Sequence, residues 1–252
     1  MRKTSLLFGS VIAASLTVVS PVEAATTISF TGSSALDGPD GNIRSFSGGG
    51  INVQASGWTL DGSTLQTAWL GQYSGGLGVT NMSEGNGSFA NSHTTDNVSQ
   101  TDFILLVFDR LVNIESAVLT PFWVSWTPLD NDALVSYANL AGAFTSPTPT
   151  AVSPASPVWG DLAAAAYNVS GNTTAPYNTS LNSAGKFGNV WVIGAALPSP
   201  DWKYDGFKLA SISVNSPVPE PGTWAMMLIG FGMVGGALRY SQRKSSVRFQ
   251  SA

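Results

Sequence analysis

Phe103-Ile104-Leu105-Leu106-Val107-Phe108 is the most apolar run in the central part of this 252-residue chain, and it is bracketed by Asp102 and Asp109. A short continuous apolar run made of aromatic, branched and leucine side chains predicts a strand buried at the centre of a sheet. Downstream, VNIESAVLTPFWVSW (112–126) carries Ile114, Ala117 to Leu119 and the aromatic trio Phe122, Trp123 and Trp126. It predicts two strands interrupted at Pro121, because proline has no N–H for the ladder. ALVSYANL (133–140), VWVIGAAL (190–197) and FKLASISV (207–214) add further strands. Upstream, TTISF (26–30) and INVQA (51–55) alternate, and Asp61-Gly62 separates the Trp58 segment from LQTAWLGQY as a hairpin turn would.

These elements come to about eight to ten strands with irregular turns and no fixed repeat, which predicts an all-β fold, a two-sheet antiparallel sandwich of jelly-roll type. The longest polar region, Gly75 to Asp102, contains one short apolar piece, Leu77 to Val79. It reads as surface loop and, at that length, as the first place to look for a site. Residues 143–157 are rich in proline and serine and read as a long loop or a linker.

The two ends differ from this middle. Arg2 and Lys3 precede an apolar run from Leu6 to Val19 and a small-residue step at Val22 and Ala24. This predicts a signal peptide over 1–24 with cleavage between Ala24 and Ala25, and export through the general secretion machinery. Near the other end, Trp224 to Leu238 is uncharged, Pro219-Glu220-Pro221 precedes it, and Arg239, Arg243, Lys244 and Arg248 follow. That order predicts a transmembrane helix over about 223–239 with its basic tail (239–252) on the cytoplasmic side. The expected organisation is signal peptide, β-sandwich ectodomain (25–215) and C-terminal segment (216–252).

Between the ends there are five basic residues against thirteen acidic ones, a net charge near −8. Nucleic acid is excluded as a partner on that balance, since phosphate backbones need a basic patch. There is no cysteine, so neither a disulfide framework nor thiol chemistry is available.

The inventory for catalysis is thin. His93 is the only histidine, and a serine triad would have to use it with Asp96 or Asp102 and no nucleophile elbow. One histidine without cysteine does not make a zinc site. Calcium suits the chain better: Asp37, Asp40 and Asn42 in DGPDGN, with Asp205 ahead of a closing strand, offer oxygen ligands, although the full EF-hand spacing is lacking. The alternative for calcium is no cofactor at all. His93, Asp96, Asn97 and Asp102 form a candidate ligand loop. A glycosidase would need two carboxylates across a cleft, from a pool that includes Glu84, Asp96, Asp102, Glu115, Asp130 and Asp132. Aromatic residues in 58–73 and 122–137 are candidates for stacking on sugar rings. Six N-x-S/T sequons, at Asn81, Asn86, Asn97, Asn168, Asn172 and Asn178, read as surface loop.

VPEPGTWAMMLIGFGMVGGALRYSQRK, through Pro219-Glu220-Pro221, Trp224 to Met227, Gly230-Phe231-Gly232 and the basic residues Arg239, Arg243 and Lys244, resembles the PEP-CTERM sorting signal of Gram-negative bacteria. The same segment is also labelled the ice-binding protein C-terminal domain, a label that describes the tail and carries no function to the rest. The resemblance implies recognition by an exosortase-type membrane protease, export across the inner membrane, a transient membrane hold, and a final place at the cell surface or outside it. GLGVTN (76–81), HTTDN (93–97), DFILLVFD (102–109), WVIGA (191–195) and DGFKLASISV (205–214) resemble a family of uncharacterised β-sandwich domains, which implies a jelly roll and no substrate. The resulting expectation is a non-enzymatic surface or matrix protein that binds exopolysaccharide. A secreted carbohydrate-active enzyme and an uncleaved, single-pass anchored protein are the alternatives.

Overall fold

The computed structural model describes residues 25–88, 92–124, 131–145, 166–169, 175–182, 184–195, 204–217 and 221–245. The expected signal peptide lies outside them, as do Trp126, Asp130 and most of 143–157. The chain divides into two compact units, and all twelve described strands belong to the one spanning Glu23–Pro217.

The strands are β1 (Thr26–Ser29), β2 (Ile43–Gly48), β3 (Ile51–Asp61), β4 (Thr64–Tyr73), β5 (Gly76–Thr80), β6 (Thr95–Asp96), β7 (Thr101–Pro121), β8 (Ala133–Ala138), β9 (Ala166–Val169), β10 (Tyr177–Ser180), β11 (Gly188–Ala195) and β12 (Gly206–Asn215). The apolar run 103–108 lies in β7, and its two faces feed two cores. Ile104, Leu106 and Phe108 join the main core with Trp191, Phe207 and Leu209. Phe103, Leu105 and Val107 join a second cluster with Trp58, Val190 and Val192. Burial on both faces is why the run is continuous and not alternating.

The fold is all-β, as the composition implies, but it is not a two-sheet jelly-roll sandwich. Strands β3, β4, β5, β12 and β7 pair in a closed ring of five, and the other strands extend from it. Two strands turn the corners by changing partner part-way. Thr64–Ala68 of β4 pair with β3, and Trp69–Tyr73 pair with β5. Likewise, β7 pairs with β3 and β11 through its first half and with β12 and β10 through its second. Register shifts between Leu209 and Ser211 and between Ser213 and Val214 add the local twist that such a bend requires. Closure leaves these five strands without a free edge.

The sequence expectation of separate strands around Pro121 also changes. Residues 101–121 form one strand that ends at Pro121, which has no N–H to give, and the Phe122 N–H makes one more bond to the Gly206 carbonyl of β12 (3.0 Å). By contrast, the hairpin at Asp61-Gly62 is present, with Asp61 opposite Thr64 and Gly62 at φ 59°. Residues 75–102 are not simply surface loop: they contribute β5, a 3-10 turn at Met82–Glu84, and β6, and Asn81, Thr94, Thr95 and Asp96 are buried. Polar residues hide this because side-chain hydrogen bonds support the burial of Asn81, Thr94 and Asp96, and hydropathy does not register them.

In the other unit, helix α1 (Pro221–Ser245) opens on Pro221, whose fixed φ and missing N–H suit a first helical position. Among the described residues no helix is long and apolar enough to cross a membrane, which overturns the transmembrane expectation and the transient membrane hold built on it. The physical reason lies in the charge pattern. The uncharged run Trp224–Leu238 rises only about 22 Å, against a hydrocarbon core of about 30 Å, and Arg239, Arg243 and Lys244 follow directly within the helix.

Candidate functional site

Strand β5 ends at Thr80, and Asn81 then caps the 3-10 turn that follows. Its Oδ1 accepts from the Ser83 N–H (3.0 Å) and the Ser83 hydroxyl (2.6 Å), while Glu84 Oε2 accepts from the Asn81 N–H (2.7 Å). This reciprocal capping box fixes the Glu84 side chain over the turn. The remaining Asn81 group, Nδ2, donates to Asp102 Oδ1 at 3.0 Å.

Asp102 stands near the start of β7 opposite Thr59 and is fully buried. Asp96 comes from β6, which pairs with the start of β12. Its two oxygens accept from the Val98 N–H (2.9 Å) and the Thr94 hydroxyl (2.8 Å). Three chain segments thus bring Glu84, Asp96 and Asp102 together, with ligand oxygens all within 4.8 Å of one another. A cleft of about 190 Å³ opens beside them, lined by Ser83, Glu84, Ser92, Asp96, Ser99 and Val124. Ser99 is held at φ 66°, a left-handed backbone that only a tightly determined turn imposes on serine.

Burial and mutual repulsion dominate the electrostatics. Loss of solvent, then the charge of Asp96, pushes the Glu84 carboxyl up to about 9. Burial likewise raises Asp96, and burial followed by the charges of Asp96 and Glu84 raises Asp102. Lys208 faces this group from β12 with only 1% of its surface exposed. Burial lowers its ammonium to about 7 against the opposing pull of Asp96 and Glu84. The Lys208 Nζ lies 3.6 Å from the Phe122 ring centroid and 5.2 Å from that of Tyr73, so aromatic faces take the place of water. Gly78 makes room for the assembly, since a Cβ there would stand 2.1 Å from the His93 carbonyl oxygen and 3.4 Å from Lys208 Cε.

Of the residues in the candidate ligand loop, Asp96 and Asp102 converge. His93 packs edge-to-face against Tyr73 with ring centroids 4.7 Å apart. Burial and the Lys208 charge lower its pKa, favouring the neutral ring. Asn97 is bound to Asp205: Asn97 Nδ2 donates to Asp205 Oδ2 and the Asp205 N–H donates to Asn97 Oδ1, both at 2.8 Å. The other Asp205 oxygen accepts from the Asp132 N–H at 2.9 Å, so Asp205 clamps two loops. Asn42 is stapled to β4 through Leu70, donating to its carbonyl (2.9 Å) and accepting from its N–H (2.7 Å). Asp37 accepts from the Gly38 N–H (2.7 Å), and Asp40 is exposed. Among the described residues the acids with converging ligand atoms are Glu84, Asp96 and Asp102, and neither Asp37, Asp40 nor Asp205 joins them.

Glu84, Asn81 and Lys208 were not singled out as a group by the sequence. The available signal was the Asn81-to-Glu84 spacing of a capping box. Asn81 itself is buried, so this sequon is not surface loop, whereas Asn86 and Asn178 are exposed.

In the C-terminal segment Pro219 and Glu220 lie outside the described residues, as does Ala24 at the expected cleavage point; Ala25, Trp224 and Arg239 are exposed, and Arg243 and Lys244 fall in the last turns of α1. Residues 217–244 match the PEP-CTERM protein-sorting motif. A PEP-CTERM sorting motif is therefore present near the C-terminus, and it links the chain to the exosortase-sorting pathway and to the surface or secreted class of proteins. No curated protein and no solved structure matches the chain.

Proposed function

We propose that this is a non-enzymatic surface or extracellular matrix protein, processed by an exosortase-type protease after export by the general secretion machinery, whose barrel binds exopolysaccharide. The observation that carries the binding reading is Trp123, 57% exposed and next in sequence to Val124 on the wall of the polar cleft. An exposed indole one residue along the chain from a wall that carries hydroxyl and carboxyl groups supports a sugar-binding surface, since sugar rings are held by stacking on one face and hydrogen bonding at the edge.

The non-enzymatic half of this reading goes with the burial of Asp96 and Asp102, which leaves Glu84 as the one half-exposed acid of the three, where a glycosidase needs two carboxyls that reach the bond they cleave. Affinity electrophoresis of the full chain through gels containing bacterial exopolysaccharides tests this reading. Retardation that Trp123→Ala reduces at least about tenfold in affinity is the expected result. No retardation on any polymer removes the binding function, and polymer cleavage that Asp96→Asn abolishes replaces it with the carbohydrate-active enzyme.

A further inference from the structure

Beyond that role, the geometry points to a calcium site formed by Glu84, Asp96 and Asp102. Charge is the first argument. Three carboxylates, of which Asp96 and Asp102 are buried and Glu84 is half-buried, and the buried ammonium of Lys208 carry a formal balance of −2, and one divalent cation cancels it. The second argument is an atom. Asp102 is fully buried and its Oδ1 is held by Asn81, whereas its Oδ2 has no hydrogen-bond partner, although the nearby Thr59 hydroxyl helps Asn81 to oppose the rise of its pKa. A buried carboxylate oxygen in that position costs free energy unless a cation or a proton meets it.

Oxygen donors and a loose, irregular cage favour calcium over magnesium, which demands a tighter octahedron and gives up its water reluctantly. Opposed oxygens around calcium stand about 4.6 to 5.2 Å apart, and around magnesium about 4.2 Å. Ligand atoms within 4.8 Å of one another fall inside the range that calcium spans. The cleft gives it access, with Glu84 and Asp96 on the wall and the Ser83 and Ser92 hydroxyls beside them. The site would also tie β6, the capped turn and the start of β7 into one unit, an effect that monovalent counter-ions in solution do not produce.

The full chain, stripped with chelator, is titrated with calcium chloride, and separately with magnesium chloride at equal ionic strength, by calorimetry and thermal melting. One calcium per chain and a rise in Tm of about 5 to 10 °C at a hundredfold excess over Kd are expected, with a smaller response to magnesium. Asp102→Asn should abolish the calcium shift and melt above the stripped wild type, because it removes repulsion without removing volume. Should that variant not fold, Glu84→Gln serves, since glutamine preserves the capping box. Wild-type protein whose Tm and heat signal ignore millimolar calcium overturns the inference and leaves a proton shared among the acids. Retention of the shift in Asp102→Asn or Glu84→Gln overturns it equally.

Discussion

The two acidic regions of this barrel are built in opposite ways. Asp37 and Asp40 are close in sequence, sit in a turn, and deal with their charge locally: one accepts from the next N–H and the other faces solvent. Glu84, Asp96 and Asp102 are spread over nineteen residues of sequence, yet the pairing of β6 with β12 and of β7 with β3 packs them within 4.8 Å. The first arrangement needs only a turn. The second needs the whole barrel, and its like charges oppose folding unless protons or a cation offset them. Proximity along the chain is therefore the poorer guide to a charged site, because water screens neighbours in an exposed turn and not in a closed interior.

The largest effect should come from the support beneath the buried group. Gly78→Ala puts a Cβ 2.1 Å from the His93 carbonyl oxygen, which is backbone and cannot swing aside. We expect a loss of about 3 kcal/mol in urea unfolding and a weakened response to calcium, since residues 93–96 must shift. In the turn, a Cβ at Gly38 would meet the edge of the Trp69 ring at 2.6 Å, a side chain with some freedom, so Gly38→Ala should cost less. Equal costs at the two positions would show that the buried group has no special dependence on close backbone packing.

The same contrast explains what could be read from the sequence. Phe103 to Phe108 announced the central strand because its apolar pattern is local, and the Asp61-Gly62 hairpin did so through its turn residues. Closure was not legible. It depends on where β4 and β7 change partners and on a β12–β5 contact registered at Leu209 and Leu77, features set by distant strands and by no local preference. The region of the site was legible as an unusually long polar stretch, but its chemistry was not. Lys208 lies between Phe207 and Leu209 of a core strand, and only the opposite face of that strand reveals the acids it meets. The C-terminal basic cluster was read correctly as a sorting signal and wrongly as the flank of a membrane span, since charge order does not supply the missing apolar length.

Acidity gives the next effect. In chelator the folded Glu84 holds its proton up to about pH 9, against an ordinary value of 4.5, so between those limits the folded chain binds more protons than the unfolded one. Stability is then full below pH 4.5 and falls as pH rises. Asp96 and Asp102 act in the same direction. Lys208, lowered to about 7 from 10.5, leaves the folded chain with fewer protons than the unfolded one between those values and opposes the fall there. Urea melts in chelator should lose more than about 1 kcal/mol between pH 5 and pH 7 and flatten above it. A profile that stays level over that first interval would mean that the three acids are better solvated than their packing implies.

The smallest effect should be at the turn. Partial covering and then the charge of Asp37 raise the Asp40 carboxyl, but Asp40 remains exposed, and solvent screens most of such an interaction. Asp37→Asn with Asp40→Asn removes two negative charges but leaves the loop attached, because Asn42 still bonds both ways to Leu70 and the Gly41 N–H still donates to the Ala68 carbonyl. The double variant should unfold within about 0.5 kcal/mol of wild type and keep the full calcium shift in Tm. If instead it loses that shift while Asp102→Asn keeps it, the cation belongs to the exposed turn, and the convergence of Glu84, Asp96 and Asp102 is a feature of packing alone.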